Sequence, residues 1–185
     1  ACFAPRYPGH GRSEARRIST EAGDGLRRAI DSYLDLRSEY GTVHVLGHSM
    51  GGLVATIVAA TFNAPRLILL APAFKLARHM DAFFSPLASI FTPVIRKKRN
   101  NEETDPVRKQ LFADYWADDL VAGVAQLRLL QKAAGRDILR IHSKLLLLTG
   151  DKDDVVPASV APYIEKRAIG VASYESKVIA GGGHG

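Results

Sequence analysis

One hexapeptide in this 185-residue sequence combines a nucleophilic side chain with the glycines of a tight turn. It runs Gly47-His48-Ser49-Met50-Gly51-Gly52, between a short apolar run and a stretch of small apolar residues that predict a strand before it and a helix after it. A serine on such a strand-to-helix turn has a strained backbone, and the residues two positions away must be small. Gly47 and Gly51 meet that need, so we interpret Ser49 as a candidate nucleophile.

The residue after the serine indicates how negative charge could be stabilised. In a turn of this kind the backbone N–H of Met50 points to the place where an oxyanion would form. The following helix directs the positive end of its dipole towards the same place. The segment therefore predicts acyl-transfer chemistry.

A serine hydroxyl is a weak nucleophile that needs a histidine base, and the histidine needs a carboxylate to orient it. His184 follows three glycines after the last predicted strand, which puts its imidazole on a flexible loop at the carboxyl edge of the sheet. We predict that His184 is the base. The other five histidines lie at positions where an ordinary hydrogen-bonded histidine is expected: His10, His44, His48, His79 and His142.

Three carboxylates are candidates for the residue that orients the histidine. Asp151, Asp153 and Asp154 follow an apolar run, so all three are expected at the same edge of the sheet as the serine. Loop carboxylates are usually solvated or used in turns, and the residue types alone leave the choice among these three open.

The elements that must position these residues alternate between strands and helices. Apolar residues at helical spacing predict an amphipathic helix over 20–40, with Gly41 as its C-terminal cap. The other predicted elements are the tail of a strand at Cys2–Ala4, a strand at Val43–Leu46, a helix at Met50–Thr61, strands at Leu67–Leu70 and Leu145–Leu148, a helix at Ala158–Arg167 and a strand at Tyr174–Ile179. This order predicts an α/β fold with a mostly parallel sheet and helices on both faces.

The stretch from about residue 72 to 140 interrupts this alternation. It has helical patterns and no convincing strand, so we expect a helical cap inserted into a single domain of residues 1–185 whose core is 1–71 and 141–185. Apolar residues recur at helical spacing over 80–94, and the basic run Arg96 to Arg99 follows. The favoured interpretation is a cap over the active site with a solvated basic turn; the alternative is an acyl-chain channel whose basic edge makes weak contact with a membrane surface.

Composition narrows the function classes. The chain has 25 Lys and Arg against 19 Asp and Glu, a net charge of +6, but the basic residues are spread out, which argues against nucleic-acid binding. At 46% hydrophobic residues the chain can bury a core, and it has no apolar run long enough to span a membrane. Cys2 is the single cysteine, which excludes an internal disulfide and a cysteine metal site. No signal peptide is visible, so a cytoplasmic location is expected.

Taken together, these motifs resemble the α/β-hydrolase superfamily, and within it the serine hydrolases of the monoacylglycerol lipase, lysophospholipase, carboxylesterase and serine aminopeptidase type. The matching segments are the stretch Ala4–Ser13, which ends in the loop Pro8–Ser13, the turn 47–52, the segment Leu145–Pro157 and the pair Gly183-His184. Ser49 argues against haloalkane dehalogenases and epoxide hydrolases, which carry aspartate at that position.

The resemblance implies a role for each residue. Ser49 is expected to be the nucleophile, His184 the base, and Asp153 the acid, because in relatives the acid stands three residues after a glycine and two before a pair of valines or isoleucines. The implied reaction is hydrolysis of a small-molecule carboxylic ester through an acyl-enzyme, with no metal or organic cofactor. The alternatives are a peptidase or amidase of the same fold and a non-catalytic binding protein.

The resemblance also implies missing parts. Relatives have early strands, a loop with a second oxyanion donor before the first matching segment, and a helix after the catalytic histidine. We therefore expect the sequence to belong to a longer hydrolase and to be a poor catalyst as written.

Overall fold

The computed structural model describes residues 1–7, 22–77, 94–96 and 118–184. Helix α1 spans Ala22–Tyr40, and Gly41 ends it with a φ of +67° and an N–H bond to the carbonyl of Arg37. The left-handed cap predicted at Gly41 is therefore present, since glycine adopts positive φ without a steric cost. The loop Pro8–Ser13, His10, His79, most of the apolar stretch 80–94 and residues 97–99 of the basic run lie outside the described residues.

A strand, a helix and a second strand follow in close succession. Strand β1 is Val45–His48, helix α2 is Met50–Phe62, and strand β2 is Arg66–Leu70. Helix α2 is apolar on all sides and eight consecutive residues of it, from Gly52 to Ala59, are buried. These elements lie within two residues of their predicted bounds, because the apolar runs are short and are bounded by turn residues.

Among the described residues, the main sheet has four strands, all parallel. Strand β5 is Lys144–Gly150, helix α4 is Val160–Arg167, strand β6 is Ser173–Ile179, and the strand order is β1-β2-β5-β6. Gly47 pairs with Leu69, and Leu69 pairs with Leu147. Because the strands are parallel, the turn after β1 and the loops after β5 and β6 meet at one edge of the sheet.

Burial along the strands shows which face of the sheet the described helices cover. In β2 and β5, Leu67, Leu69, Leu145 and Leu147 are buried, whereas the apolar residues between and after them are only half-buried, and Leu46 of β1 is 59% exposed. Residues from all four described α-helices belong to one core cluster with the buried leucines. In the described part of the chain the helices therefore pack on one face, although the strands are apolar on both.

The insertion contains strands, which corrects the expectation of none. Strand β3, Val94–Arg96, pairs antiparallel with β4, Asp118–Leu120. Three-residue strands give too little periodicity to be recognised in a sequence. Helix α3, Val121–Asp137, follows directly, and a short 3₁₀ turn at Ile138–Arg140 leads into β5.

Helix α3 packs on the core rather than apart from it. Its residues Leu130 and Ala134 are buried in the same cluster as Leu53 of α2. The division of the chain at about residues 72 and 140 stays a prediction, but the second half of α3 contributes to the core that supports the sheet.

The N-terminal segment also differs from its prediction. Residues 1–7 have no regular secondary structure, so the strand tail expected at Cys2–Ala4 is wrong. Residues 1–7 do not pair with β1, the edge strand of the described sheet, and a segment without a paired neighbour forms no strand. None of the described helices is both long enough and apolar enough to cross a membrane.

Candidate active site

The turn between β1 and α2 places Ser49 in a strained conformation. Its φ is 52° and its ψ is −120°, a region that costs a non-glycine residue about 1–3 kcal/mol. Backbone hydrogen bonds hold it there: the Ser49 N–H donates to Leu70 O at 2.9 Å, and its carbonyl accepts from Gly52 N and Ala73 N, both at 3.0 Å. The turn is therefore fixed by the next strand and the loop that follows it.

Glycine is needed at two positions around this turn, only one of them predicted. A Cβ on Gly47 would overlap the carbonyl of Gly51 and come within 2.7 Å of the Ala55 Cβ. A Cβ on Gly51 would meet nothing within 4 Å, so the collision expected there is not found; the backbone of Gly51 is instead what Gly47 must avoid. Sequence reasoning missed Gly52, where a Cβ would lie 2.7 Å from the Cβ of Pro72.

The three residues predicted for catalysis lie in contact, although up to 135 positions separate them in the chain. The Nε2 of His184 is 2.9 Å from the Ser49 hydroxyl. The Nδ1 of the same ring is 2.9 Å from Oδ2 of Asp153 and 3.1 Å from Oδ1. The imidazole thus bridges hydroxyl and carboxylate through its two nitrogens, the geometry that lets a histidine take a proton from a serine.

Asp153 is buried and fully hydrogen-bonded. Its side chain is 1% exposed, and its Oδ1 accepts from the N–H of Val155 at 2.9 Å and of Val156 at 2.8 Å. Burial by itself would raise the pKa of Asp153, but the Val156 amide, the His184 ring and the Val155 amide stabilise the carboxylate and lower its pKa below the ordinary value of 3.8. Asp153 is therefore ionised at neutral pH and can orient the imidazole.

The other candidate carboxylates do not contact the histidine ring. Asp151 accepts the N–H of Gly181 at 2.7 Å, so it holds the loop before His184. Asp154 is exposed. Of the three carboxylates that the residue types left open, only Asp153 reaches Nδ1 of His184.

Of the other histidines that the structure describes, His48 and His142 make hydrogen bonds of their own. His142 Nδ1 lies 3.2 Å from the carbonyl of Gly170, away from the serine. His48 Nε2 lies 2.7 Å from the carbonyl of His184, a contact that sequence reasoning missed. His44 is exposed in the approach to β1.

A close approach of two loops brings the histidine to the carboxylate. A Cβ on Gly150, the last residue of β5, would lie 2.7 Å from the carbonyl carbon of Gly182 and 2.9 Å from the Gly183 oxygen. Only glycine at 150 lets the two loops touch. The sequence shows both groups of glycines, Gly150 at the end of an apolar strand and three glycines directly before His184. It does not show that these two segments contact each other.

Met50 begins helix α2, directly after Ser49. The first N–H groups of a helix have no intrahelical acceptor, so the Met50 amide suits the role of anion donor. Within residues 1–7, 22–77, 94–96 and 118–184, no three His, Cys, Asp or Glu side chains cluster so as to hold a metal ion.

A parallel sheet whose carboxyl edge brings a turn serine, an imidazole and a carboxylate together is the arrangement of the α/β hydrolases. The sequence matches the profile of the alpha/beta hydrolase family over residues 1–185, and the chain belongs to this family. A search of curated proteins gives no match.

Solved structures of lipolytic enzymes share the fold. One, from work on the metagenome-derived lipolytic enzymes LipS and LipT, aligns with a TM-score of 0.80 at 16% identity, covering 97% of this chain and 72% of its own. A monoacylglycerol lipase of Paleococcus ferrophilus gives 0.69 at 19% identity over 97% of this chain and 73% of that one. A soluble variant of monoglyceride lipase from Saccharomyces cerevisiae, in complex with a substrate analogue, gives 0.72 at 15% identity over 96% and 67%.

Proposed function

We propose that this chain is a serine hydrolase that cleaves carboxylic ester bonds through an acyl-enzyme, with Ser49 as nucleophile, His184 as general base and Asp153 as the orienting acid. The observation that carries the proposal is the bridge from the Ser49 hydroxyl through both nitrogens of His184 to Asp153, at 2.9 Å on each side. A structural serine at a helix start has no need of this arrangement.

The proposed reaction has two halves. Ser49 Oγ attacks the ester carbonyl while His184 Nε2 takes the hydroxyl proton, and the resulting imidazolium is stabilised by Asp153. The tetrahedral intermediate collapses as His184 returns the proton to the leaving alcohol, which leaves an acyl-serine. Water then attacks the acyl-serine, again giving its proton to His184, and the carboxylic acid leaves as Ser49 is reprotonated.

Negative charge on the intermediate needs a fixed donor. We assign the Met50 N–H to that role, because it follows the nucleophile at the start of α2 and the helix dipole favours an anion there. A donor of this kind is worth about 2.7–4 kcal/mol in the transition state.

The substrate class we propose is esters of small or medium acyl chains, including monoacylglycerols or lysophospholipids. The monoacylglycerol and monoglyceride lipases among the similar structures support it. We further propose that the insertion over about residues 72–140 acts as a cap. The proposal is supported by where the insertion begins: it follows β2 at the carboxyl edge of the sheet, and Ala73 N donates to Ser49 O at 3.0 Å.

Labelling with a fluorophosphonate tests the nucleophile. We expect the full chain to be labelled and Ser49→Ala to lose both labelling and measurable ester turnover. Ser159→Ala is the matched control, because Ser159 also precedes a helix but has an ordinary φ of −66° and no side-chain capping bond. Equal labelling of wild type and Ser49→Ala would refute the proposal.

The substrate is tested with aryl esters of increasing acyl length against aminoacyl anilides. Faster turnover of the esters supports esterase activity. Faster turnover of the anilides would favour the peptidase alternative, and labelling without turnover of either substrate would refute the ester proposal.

A further inference from the structure

The loop that carries His184 is anchored at its start by the two residues that follow strand β5. Gly181 N donates to Asp151 Oδ1 at 2.7 Å, and Lys152 N donates to the Gly182 carbonyl at 2.9 Å. Beyond these two bonds the loop continues through Gly183, which is exposed and where a Cβ would meet nothing within 4 Å. Glycine has the greatest backbone freedom of any residue, so the anchors on Gly181 and Gly182 do not by themselves fix the position of His184.

His48 supplies a contact beyond that glycine. Its Nε2 lies 2.7 Å from the carbonyl oxygen of His184, and the two ring centroids are 5.1 Å apart with the planes tilted by 40°. A carbonyl only accepts, so the Nε2–H of His48 is the donor. Because His48 immediately precedes Ser49, this bond ties the main chain of the base to the residue beside the nucleophile.

We propose that His48 is a positioning residue that clamps the main chain of His184 and so keeps its Nε2 within reach of the Ser49 hydroxyl. This inference rests on the proposed function. Asp153 holds the far nitrogen of the ring, and His48 holds the backbone from which the ring extends. The ring is then fixed from both ends, although it stands on a glycine-rich loop.

The clamp matters because proton transfer is sensitive to distance. A misplacement of about 1 Å at a reacting group can cost on the order of 100-fold in rate. Without the bond from His48, Gly183 can rotate, and the imidazole samples positions away from Ser49. We expect the loss in kcat rather than in KM, since His48 acts on the base and not on substrate binding.

Two amide variants of His48 separate the hydrogen bond from the bulk of the side chain. His48→Gln places an amide nitrogen the same number of bonds from Cα as Nε2, so it can still donate to the His184 carbonyl. His48→Asn has the same chemistry but is one bond shorter and cannot reach. The matched control is His142→Asn, the same substitution at another exposed histidine whose ring lies by a backbone carbonyl, far from Ser49.

For the full chain we expect His48→Asn to lower kcat and the rate of fluorophosphonate labelling by about tenfold or more, with KM nearly unchanged. We expect His48→Gln to retain activity within about threefold of wild type and His142→Asn to match wild type. Equal losses in the Gln and Asn variants, or no loss in His48→Asn, would overturn the clamp.

Hydrogen–deuterium exchange of the peptide that contains residues 180–184 supplies a readout that does not depend on activity. Faster exchange in His48→Asn but not in His48→Gln supports the clamp, even if the wild-type chain is not labelled and the proposed function fails. Unchanged exchange in both variants overturns the clamp while leaving the roles of Ser49 and His184 untouched.

Discussion

Replacing Gly47 with alanine tests how tightly the turn before Ser49 is packed. The added Cβ would overlap the Gly51 carbonyl oxygen and lie 2.6 Å from the Gly51 carbonyl carbon and 2.7 Å from the Ala55 Cβ. Carbon atoms in contact prefer a separation of about 3.5–4.0 Å, so the groups must separate by about 1 Å. Two of the three atoms belong to the backbone, which a change of side-chain rotamer cannot move.

The magnitude follows from this overlap. Overpacking a well-packed interior usually costs about 1–3 kcal/mol, and a backbone clash in a turn already strained at Ser49 belongs at the upper end. We therefore expect Gly47→Ala to lower the free energy of unfolding by about 3 kcal/mol. In a domain of this size that corresponds to a fall in Tm of about 6–12 °C. Activity should fall as well, because the shift displaces Ser49.

Gly51→Ala is the matched control. Its Cβ would meet nothing within 4 Å, and alanine is favoured over glycine inside a helix by about 0.8–1.0 kcal/mol. We expect Gly51→Ala to be as stable as wild type or slightly more stable. Thermal and urea unfolding followed by circular dichroism measure both variants. A Gly47→Ala variant with wild-type stability, or equal destabilisation at both glycines, would refute the reasoning from the turn geometry.

Three further predictions concern the acid, the loops and the core. Because the pKa of Asp153 is lower in the folded state, its ionisation stabilises the fold above about pH 3.8. This contribution to the free energy of unfolding is lost as the pH falls through the lowered pKa. Urea unfolding measured from about pH 6 to about pH 3 should therefore depend less on pH in Asp153→Asn than in wild type. Gly150→Ala should reduce both stability and activity because its Cβ overlaps the loop before His184, whereas Gly183→Ala, whose Cβ has open space, should leave thermal stability within about 0.5 kcal/mol of wild type. Leu69→Ala should lower the free energy of unfolding in urea by about 2–5 kcal/mol, whereas Leu46→Ala, at a position that is 59% exposed, should lower it by less than about 0.5 kcal/mol. Similar losses at the two positions would contradict a core on one face of the sheet.

Local sequence patterns specify most of the core elements but not how the sheet is covered. The apolar run Leu67 to Leu70 identifies a buried strand, and Gly41 identifies the end of α1, because each signal acts within a few residues. The same run is apolar on both faces, so it predicts two layers of helices, whereas the described helices pack on the face of Leu67 and Leu69. Which face a helix covers depends on distant contacts that periodicity does not record. The ribbon of β3 and β4 was missed for a related reason, since its register comes from pairing across more than twenty residues.

The candidate site shows the same division between local and distant information. Ser49 is identifiable from the sequence because the residues that form its strained turn are its direct neighbours in the chain. His184 is identifiable because three glycines precede it after the last strand. The acid is not identifiable from residue type, since Asp151, Asp153 and Asp154 are chemically alike. The backbone of the loop separates them: the amides of Val155 and Val156 turn back onto the carboxylate of Asp153 and hold it inward, while Asp151 accepts the amide of Gly181. Two carboxylates two residues apart thus hold the ring and the loop of the same histidine. The family resemblance predicts the role of Asp153, but only the three-dimensional contacts show that of Asp151.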